Sequence, residues 1–285
     1  MKTIQWYPGH MAKAMRMMGD NLKVCDAVVY VLDARAPAAS YNARIADMGG
    51  AKPVLYVLNK GDLADGGADG LLALMQRKGL SAVKIAANAP FSARVLREAM
   101  AELVKDKTQR YLEKGTTRPM RFLVAGIPNT GKSTVINLLA GGKKTVTGDK
   151  AGVTRAKQWV KCGAFELMDT PGVMPPACEN QKRARRLAFL GSINDDILEV
   201  DEIALALLEE LAEKYPNELK ERYAIEGGTP LEMLEQVCAR RSFLLRGGEY
   251  DYERGERAVI DDFRKGKLGK ICLDLPEDLK EAGLI

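Results

Sequence analysis

Residues 126–133 read Gly-Ile-Pro-Asn-Thr-Gly-Lys-Ser. Gly, four residues, Gly-Lys, then Ser or Thr is the spacing of a phosphate-binding loop. Glycines let the backbone curl until its N–H groups converge on a phosphate chain. A helix starting near Lys132 adds its positive N-terminal end. In such a loop Asn129, Thr130, Gly131 and Thr134 surround the phosphates. Lys132 reaches the β- and γ-phosphates, and the Ser133 hydroxyl binds Mg²⁺.

A phosphate loop alone says only nucleotide. Asn59-Lys60-Gly61-Asp62 says which one. A carboxylate at Asp62 can accept from both the N1–H and the N2 amine of guanine, and adenine offers no such donor pair. Asn59 and Lys60 would brace and cover the base. Asp169-Thr170-Pro171-Gly172 supplies a third element. Its Asp169 would hold Mg²⁺ through a water, and the Gly172 N–H would meet a γ-phosphate. Thr154, in the polar stretch upstream, offers a second hydroxyl for Mg²⁺. Loops of this kind order around a γ-phosphate and relax after hydrolysis.

These residues need a scaffold that brings three distant loops to one edge. Residues 27–32, 54–58, 82–86 and 122–125 are apolar, partly β-branched runs that read as buried strands. Residues 158–162 and 165–168 read as a hairpin turning at Gly163. Helical patterns lie at 11–22, 71–78, 92–114 and 134–140. Alternating strands and helices predict a mainly parallel, doubly wound α/β sheet, whose ligands sit at the strands' carboxyl ends. Each loop singled out follows such an end. From residue 179 onward strand signals nearly vanish, and helices are expected at 183–190, 202–215, 231–243 and 256–265. The expected division is residues 1–178 and a small all-helical C-terminal domain, 179–285.

The chain has 285 residues, 46% of them hydrophobic and 28% charged, as in soluble globular proteins. No apolar run reaches the ~20 residues of a membrane span, so no membrane partner is expected. Five scattered cysteines without a Cys-x-x-Cys pair favour a reducing, cytoplasmic setting over zinc or disulfides. The net charge of +5 is uneven: residues 1–179 hold 26 Lys and Arg against 15 Asp and Glu, and the remainder 17 against 23. A basic first half suits a polyanionic partner.

In ordinary GTPases the phosphate loop comes first, and Asn-Lys-x-Asp follows Asp-x-x-Gly. Here Asn-Lys-x-Asp precedes the phosphate loop, as though the chain ends had been moved. With Tyr7-Pro8-Gly9-His10-Met11-Ala12-Lys13-Ala14, Asp33-Ala34-Arg35 and Gly152-Val153-Thr154, the chain resembles the circularly permuted GTPases. It is most similar to the bacterial ribosome biogenesis GTPase A subfamily, and the resemblance extends through Tyr215-Pro216 and residues 219–223. It implies a circularly permuted Ras-like GTPase domain, hydrolysis of GTP to GDP, and a role in assembling the large ribosomal subunit. The implied partners are GTP, GDP and the precursor particle with its ribosomal RNA. It also implies a guanine-contacting element at Ala86-Ala87-Asn88. There the usual Ser or Asn beside Ala is missing, and the backbone N–H groups of Ala86 and Ala87 remain. In related loops an Asn at the place of Asn129 helps bind K⁺.

Val173 stands where a catalytic Gln ordinarily follows Asp-x-x-Gly, and an apolar side chain cannot orient water. His10 is the only histidine in the chain. It lies after the Pro8-Gly9 turn on an expected arm, and an imidazole can orient water or take its proton near neutral pH. It is the candidate catalytic residue; a helix-capping or RNA-contacting His10 is the plainer alternative. The alternative function is a GTP-dependent RNA-binding scaffold with negligible turnover. A kinase or ATPase is disfavoured by Asp62.

Overall fold

The structure is a computed structural model. It describes residue 4 and residues 9–143, 159–175 and 180–285, side chains of residues 9–13 excepted. The chain divides into two compact units. One comprises Tyr7–Ala177 with Cys272–Ile285, and the other Met1–Trp6 with Cys178–Ile271.

The first unit is built on a six-stranded sheet. In chain order the strands are β1 (Ala27–Asp33), β2 (Val54–Asn59), β3 (Ser81–Lys84), β4 (Met120–Ala125), β5 (Trp159–Cys162) and β6 (Phe165–Asp169), in spatial order β3-β2-β1-β4-β6-β5. All neighbours are parallel except the β5–β6 hairpin. β1 is buried along its whole length, as a strand covered on both faces must be. Its side chains alternate. Val28, Tyr30 and Leu32 join one core cluster, while Ala27, Val29 and Val31 join the other. The first cluster takes Met18 and Leu22 from α1 (Gly9–Leu22), Ile45 from α2 (Ala43–Gly49), and Ala68, Leu71 and Met75 from α3 (Gly66–Arg77). The second takes Leu96 and Met100 from α4 (Ser92–Leu103) and Val135, Ile136 and Leu139 from α6 (Lys132–Ala140). The basic α5 (Lys105–Glu113) buries no residue.

Register decides where the chemistry falls. Asp33 is level with Asn59 across β1–β2, and Leu58 with Lys84 across β2–β3. Val124 is level with Asp169 across β4–β6. The three motif loops therefore leave one edge of the sheet, its carboxyl edge.

The second unit is helical: α7 (Gln181–Phe189), α8 (Val200–Lys214), α9 (Pro216–Tyr223), α10 (Pro230–Arg241) and α11 (Tyr252–Arg264). α8 is central and packs on the other four. Ile203, Leu207, Leu208 and Leu211, the predicted apolar face, are buried. The Ile4 N–H donates to Gln181 Oε1 at 3.0 Å.

Several expectations change. The predicted helical domain ran to residue 285, but Cys272–Ile285, with α12 (Pro276–Glu281), groups with the sheet unit. Leu279 and Leu284 carry apolar side chains into the sheet's first cluster, which explains why this segment leaves the helices. The predicted helix 92–114 is two helices broken at Val104, whose backbone (φ −110°, ψ 12°) is not helical and whose side chain is buried. α2, α9 and α12 were not expected. His10 lies in the first turn of α1 rather than on an arm, and its side chain is outside the described residues, as is all of Thr154.

Candidate nucleotide site

β4 is followed by the phosphate loop and then by α6, the expected strand–loop–helix. Gly131 precedes the helix at φ 90°, a conformation that L side chains rarely adopt, and a Cβ there would collide with the Asn59 amide. Asn129 also takes a left-handed backbone, φ 61°. Thr130 is buried and donates its hydroxyl to the Ile127 carbonyl at 3.2 Å. Lys132 is buried, with Nζ donating to the same carbonyl at 2.7 Å. Burial lowers its pKa to about 8; nearby Asp169 opposes the shift and Lys60 adds to it. A phosphate chain would replace that single carbonyl with charged acceptors. Ser133 and Thr134 are half-buried in the first turn of α6.

The Ser133 hydroxyl donates to Asp169 Oδ2 at 2.9 Å. Hydroxyl and carboxylate oxygens are the hard donors that Mg²⁺ selects, and it completes its shell with water and phosphate. The residues present therefore fit Mg²⁺, which Ser133 would hold directly and Asp169 through water. Gly172 lies against the phosphate loop: a Cβ there would stand 2.6 Å from the Pro128 nitrogen. Only glycine permits that approach of its backbone to the phosphate loop. Val173 is buried at 1% exposure in the sheet's first core cluster. Its carbonyl accepts from Asn42 Nδ2 at 3.1 Å, so the catalytic-Gln position is a packing position here.

Asn59 ties the loops together. Its Nδ2 donates to the Thr130 carbonyl at 2.9 Å and its Oδ1 accepts from the Ala87 N–H at 3.0 Å. Lys60 Nζ donates to the Asn129 carbonyl at 2.7 Å. Asp62 is exposed rather than buried and accepts from Asn88 Nδ2 at 3.0 Å. The Ala86 N–H donates to Ser92 Oγ at 3.2 Å. Both amides expected to meet guanine thus donate within the protein, where they shape the loop beside Asp62.

Asn88, which the sequence placed only within the Ala86-Ala87-Asn88 element, donates its side-chain amide to the Asp62 carboxylate. Sequence reasoning left Asn42 unnoticed, and quoted Asp33 and Arg35 only for their resemblance. The available signal was a charged Asp-x-Arg directly ending an apolar strand.

A family model described as a 50S ribosome-binding GTPase matches residues 121–229. A ribosome biogenesis GTPase A of Bacillus cereus is 41% identical, with 98% of this chain and 96% of that protein covered. The chain belongs to the ribosome biogenesis GTPase A family. It is a GTPase. Solved structures of YlqF agree with the fold at 27% identity: a GDP-bound form from TM (TM-score 0.68, covering 92% of this chain and 100% of that one) and a GNP-bound form from T. maritima (0.65; 93% and 99%). In this chain Asn59-Lys60-Gly61-Asp62 precedes the phosphate loop in sequence, and the parallel sheet brings both to its carboxyl edge.

Proposed function

We propose that this GTPase is a cytoplasmic assembly factor for the large ribosomal subunit. It binds the precursor particle and its RNA in the GTP form, and the particle stimulates hydrolysis. The name of its relative, ribosome biogenesis GTPase A, and the description of the matching family model, 50S ribosome-binding GTPase, support a ribosomal partner. The observation that carries stimulation is Val173, buried and hydrogen-bonded where a water-orienting side chain would stand. Hydrolysis then needs a polar group from elsewhere. In this reading His10 is that group: docking on the particle fixes α1 so that the imidazole orients the attacking water. Mg²⁺ is bound by Ser133, Asp169 and Thr154, and K⁺ by Asn129. RNA meets exposed basic residues of each unit, Arg16, Lys105, Arg110 and Lys114 on one and Lys182 and Arg240 on the other. Arg186, in the same basic helix as Lys182, is buried and paired with Glu210 at 2.6 Å, so it is not among them.

The test is co-sedimentation with each ribosomal subunit precursor in GDP, GTP and a non-hydrolysable analogue, with single-turnover hydrolysis alongside. Large-subunit particles should retain the protein in the analogue and release it in GDP. His10→Ala should bind GTP and particle normally yet lose the stimulated rate, by ~10²–10⁴-fold if the imidazole acts as general base. Stimulation equal to wild type would make His10 structural. The buried Val173 also favours the second reading, a GTP-dependent scaffold. Single-turnover rates that the particle leaves unchanged would select it.

A further inference from the structure

The loop that follows β1 carries no nucleotide motif, yet it is tied into the site at one end and to the chain's last residues at the other. Asp33 is 1% exposed. Its Oδ1 accepts from Arg35 Nε at 3.0 Å, and its Oδ2 from the Arg35 guanidinium at 2.9 Å and from Lys60 Nζ at 2.8 Å. Burial pushes the Asp33 carboxyl up, but Arg35 and Lys60 outweigh it and hold it below the usual carboxylate range. Lys60 Nζ also donates to the Asn129 carbonyl. Its ammonium is therefore clamped between Asp33 and the phosphate loop. The Lys60 backbone sits at φ 60°, unfavourable for a non-glycine residue and maintained only where surroundings over-determine it.

The residues after Arg35 are held by the C-terminal segment. The Leu273 N–H donates to the Arg35 carbonyl at 2.7 Å. Asp274, 4% exposed, accepts through Oδ2 from the N–H groups of Ala38 and Ala39. The segment is anchored by Leu279 and Leu284 in the cluster that also contains Leu32, Ala34 and Ala38.

We propose that residues 272–285 are a positioning strap for the guanine-nucleotide site. Leu273 and Asp274 fix the 34–39 loop, the loop fixes Arg35 and Asp33, and Asp33 holds Lys60 across the phosphate loop. Asp33 and Asp274 are positioning residues that act through Lys60. The inference rests on nucleotide binding by the 59–62 element and is independent of the ribosomal reading.

Asp33→Ala would strand a buried guanidinium and threaten folding, so the decisive variants lie in the strap. Full-length Asp274→Ala should weaken GDP and GTP alike, on the order of tenfold. Asp274→Asn, whose amide oxygen still accepts from both N–H groups, should restore binding to within about twofold of wild type. In a Lys60→Ala background, Asp274→Ala should cost no further affinity, because its route runs through Lys60. Unchanged binding in Asp274→Ala, or penalties that add fully in the double variant, would overturn the proposal. Hydrogen exchange on the wild-type chain gives a readout that needs no variant. Coupling is reciprocal, so GDP should slow exchange at the Ala38, Ala39 and Leu273 amides by several-fold. Exchange there indifferent to GDP would equally overturn it.

Discussion

Asn59 is the residue whose loss should separate the base-binding loop from the phosphate loop. Its side chain is 3% exposed and makes two buried bonds, 2.9 Å to the Thr130 carbonyl and 3.0 Å from the Ala87 N–H. Asn59→Ala leaves both backbone groups behind. A buried polar group without its partner costs about 1–3 kcal/mol. Water can enter the truncated space and recover part of that, so the nucleotide-free protein should lose roughly 2–4 kcal/mol. Nucleotide binding must then reorder two untied loops. If about half of that cost falls on binding, GDP and GTP should weaken alike by roughly 5–30-fold. Asn59→Asp is the sharper probe. It keeps the acceptor for Ala87 but sets an oxygen against the Thr130 carbonyl. It should be at least as damaging as alanine at neutral pH and recover as the carboxyl protonates. Urea unfolding of the nucleotide-free protein and titration with a fluorescent GDP measure both quantities. A stability within about 0.5 kcal/mol of wild type, with unchanged GDP affinity, would refute the tie.

Asp62→Asn should lose GTP by at least about a hundredfold, since two charge-assisted bonds of ~1.5–3 kcal/mol disappear, and gain xanthosine triphosphate; competition binding that still prefers GTP would remove Asp62 from the base site. Turnover should depend on K⁺ and fall in Na⁺, and Asn129→Ala should erase the difference; equal rates in both salts in the wild type would leave Asn129 a loop residue. At Asp26 burial pushes the carboxyl up, but hydrogen bonds from Arg118, Lys107 and the Arg121 N–H prevail and bring it down to about 2. That depression contributes about 2 kcal/mol, present above the unfolded value near 4 and lost as pH falls toward 2. Asp26→Asn should lose it at pH 7 and show a flatter acid limb in pH-dependent unfolding, and an acid limb as steep as wild type would count against the assignment.

The parts of the fold legible in the sequence were those with a strong single cause. Buried parallel strands are runs of apolar residues, and β1, β2 and β4 were placed within two residues of their observed ends. The nucleotide motifs were legible because phosphate and guanine chemistry dictates residue types at fixed spacings. What escaped depended on other causes. α9 and α12 both begin at a proline, which reads as a breaker until its place at the first helical position is known. α3 was started late because Gly66, Gly67 and Gly70 mask a helix that Asp65 caps. The Val104 break is invisible to periodicity, since a buried Val suits a helix equally well. The supports of the site, Asp33 under Lys60 and Asn42 on Val173, join residues far apart in sequence. Nothing local to either partner announces the other.

The moved chain ends also explain where the charged hub at Asp26 lies. In the ordinary order the chain would begin near β4 and end after α5. Here residues 114–119 join those two elements. The join is anchored by Arg118, which pairs with Asp26 at 2.8 Å and packs over the Tyr111 ring at 4.5 Å from its centroid. Asp26 also accepts from Lys107 at 2.8 Å and from the Arg121 N–H at 2.8 Å. Asp26 precedes β1, and Arg121 lies near the start of β4. The joint therefore sits at the amino ends of the strands, opposite the carboxyl edge, and closes without disturbing the register that sets Asp33 level with Asn59 and Val124 level with Asp169. The chain is cut instead just past Gly172. The chain passes between the units at 6–7, 177–178 and 271–272, and the last two passages lie next to residues held against the loop after β1. Val173 is held by Asn42 on one side, and Leu273 and Asp274 hold Arg35, Ala38 and Ala39 on the other. The backbone that leaves the sheet unit past Gly172 and re-enters it at Cys272 therefore runs, on both sides, into segments hydrogen-bonded to the residues between β1 and α2.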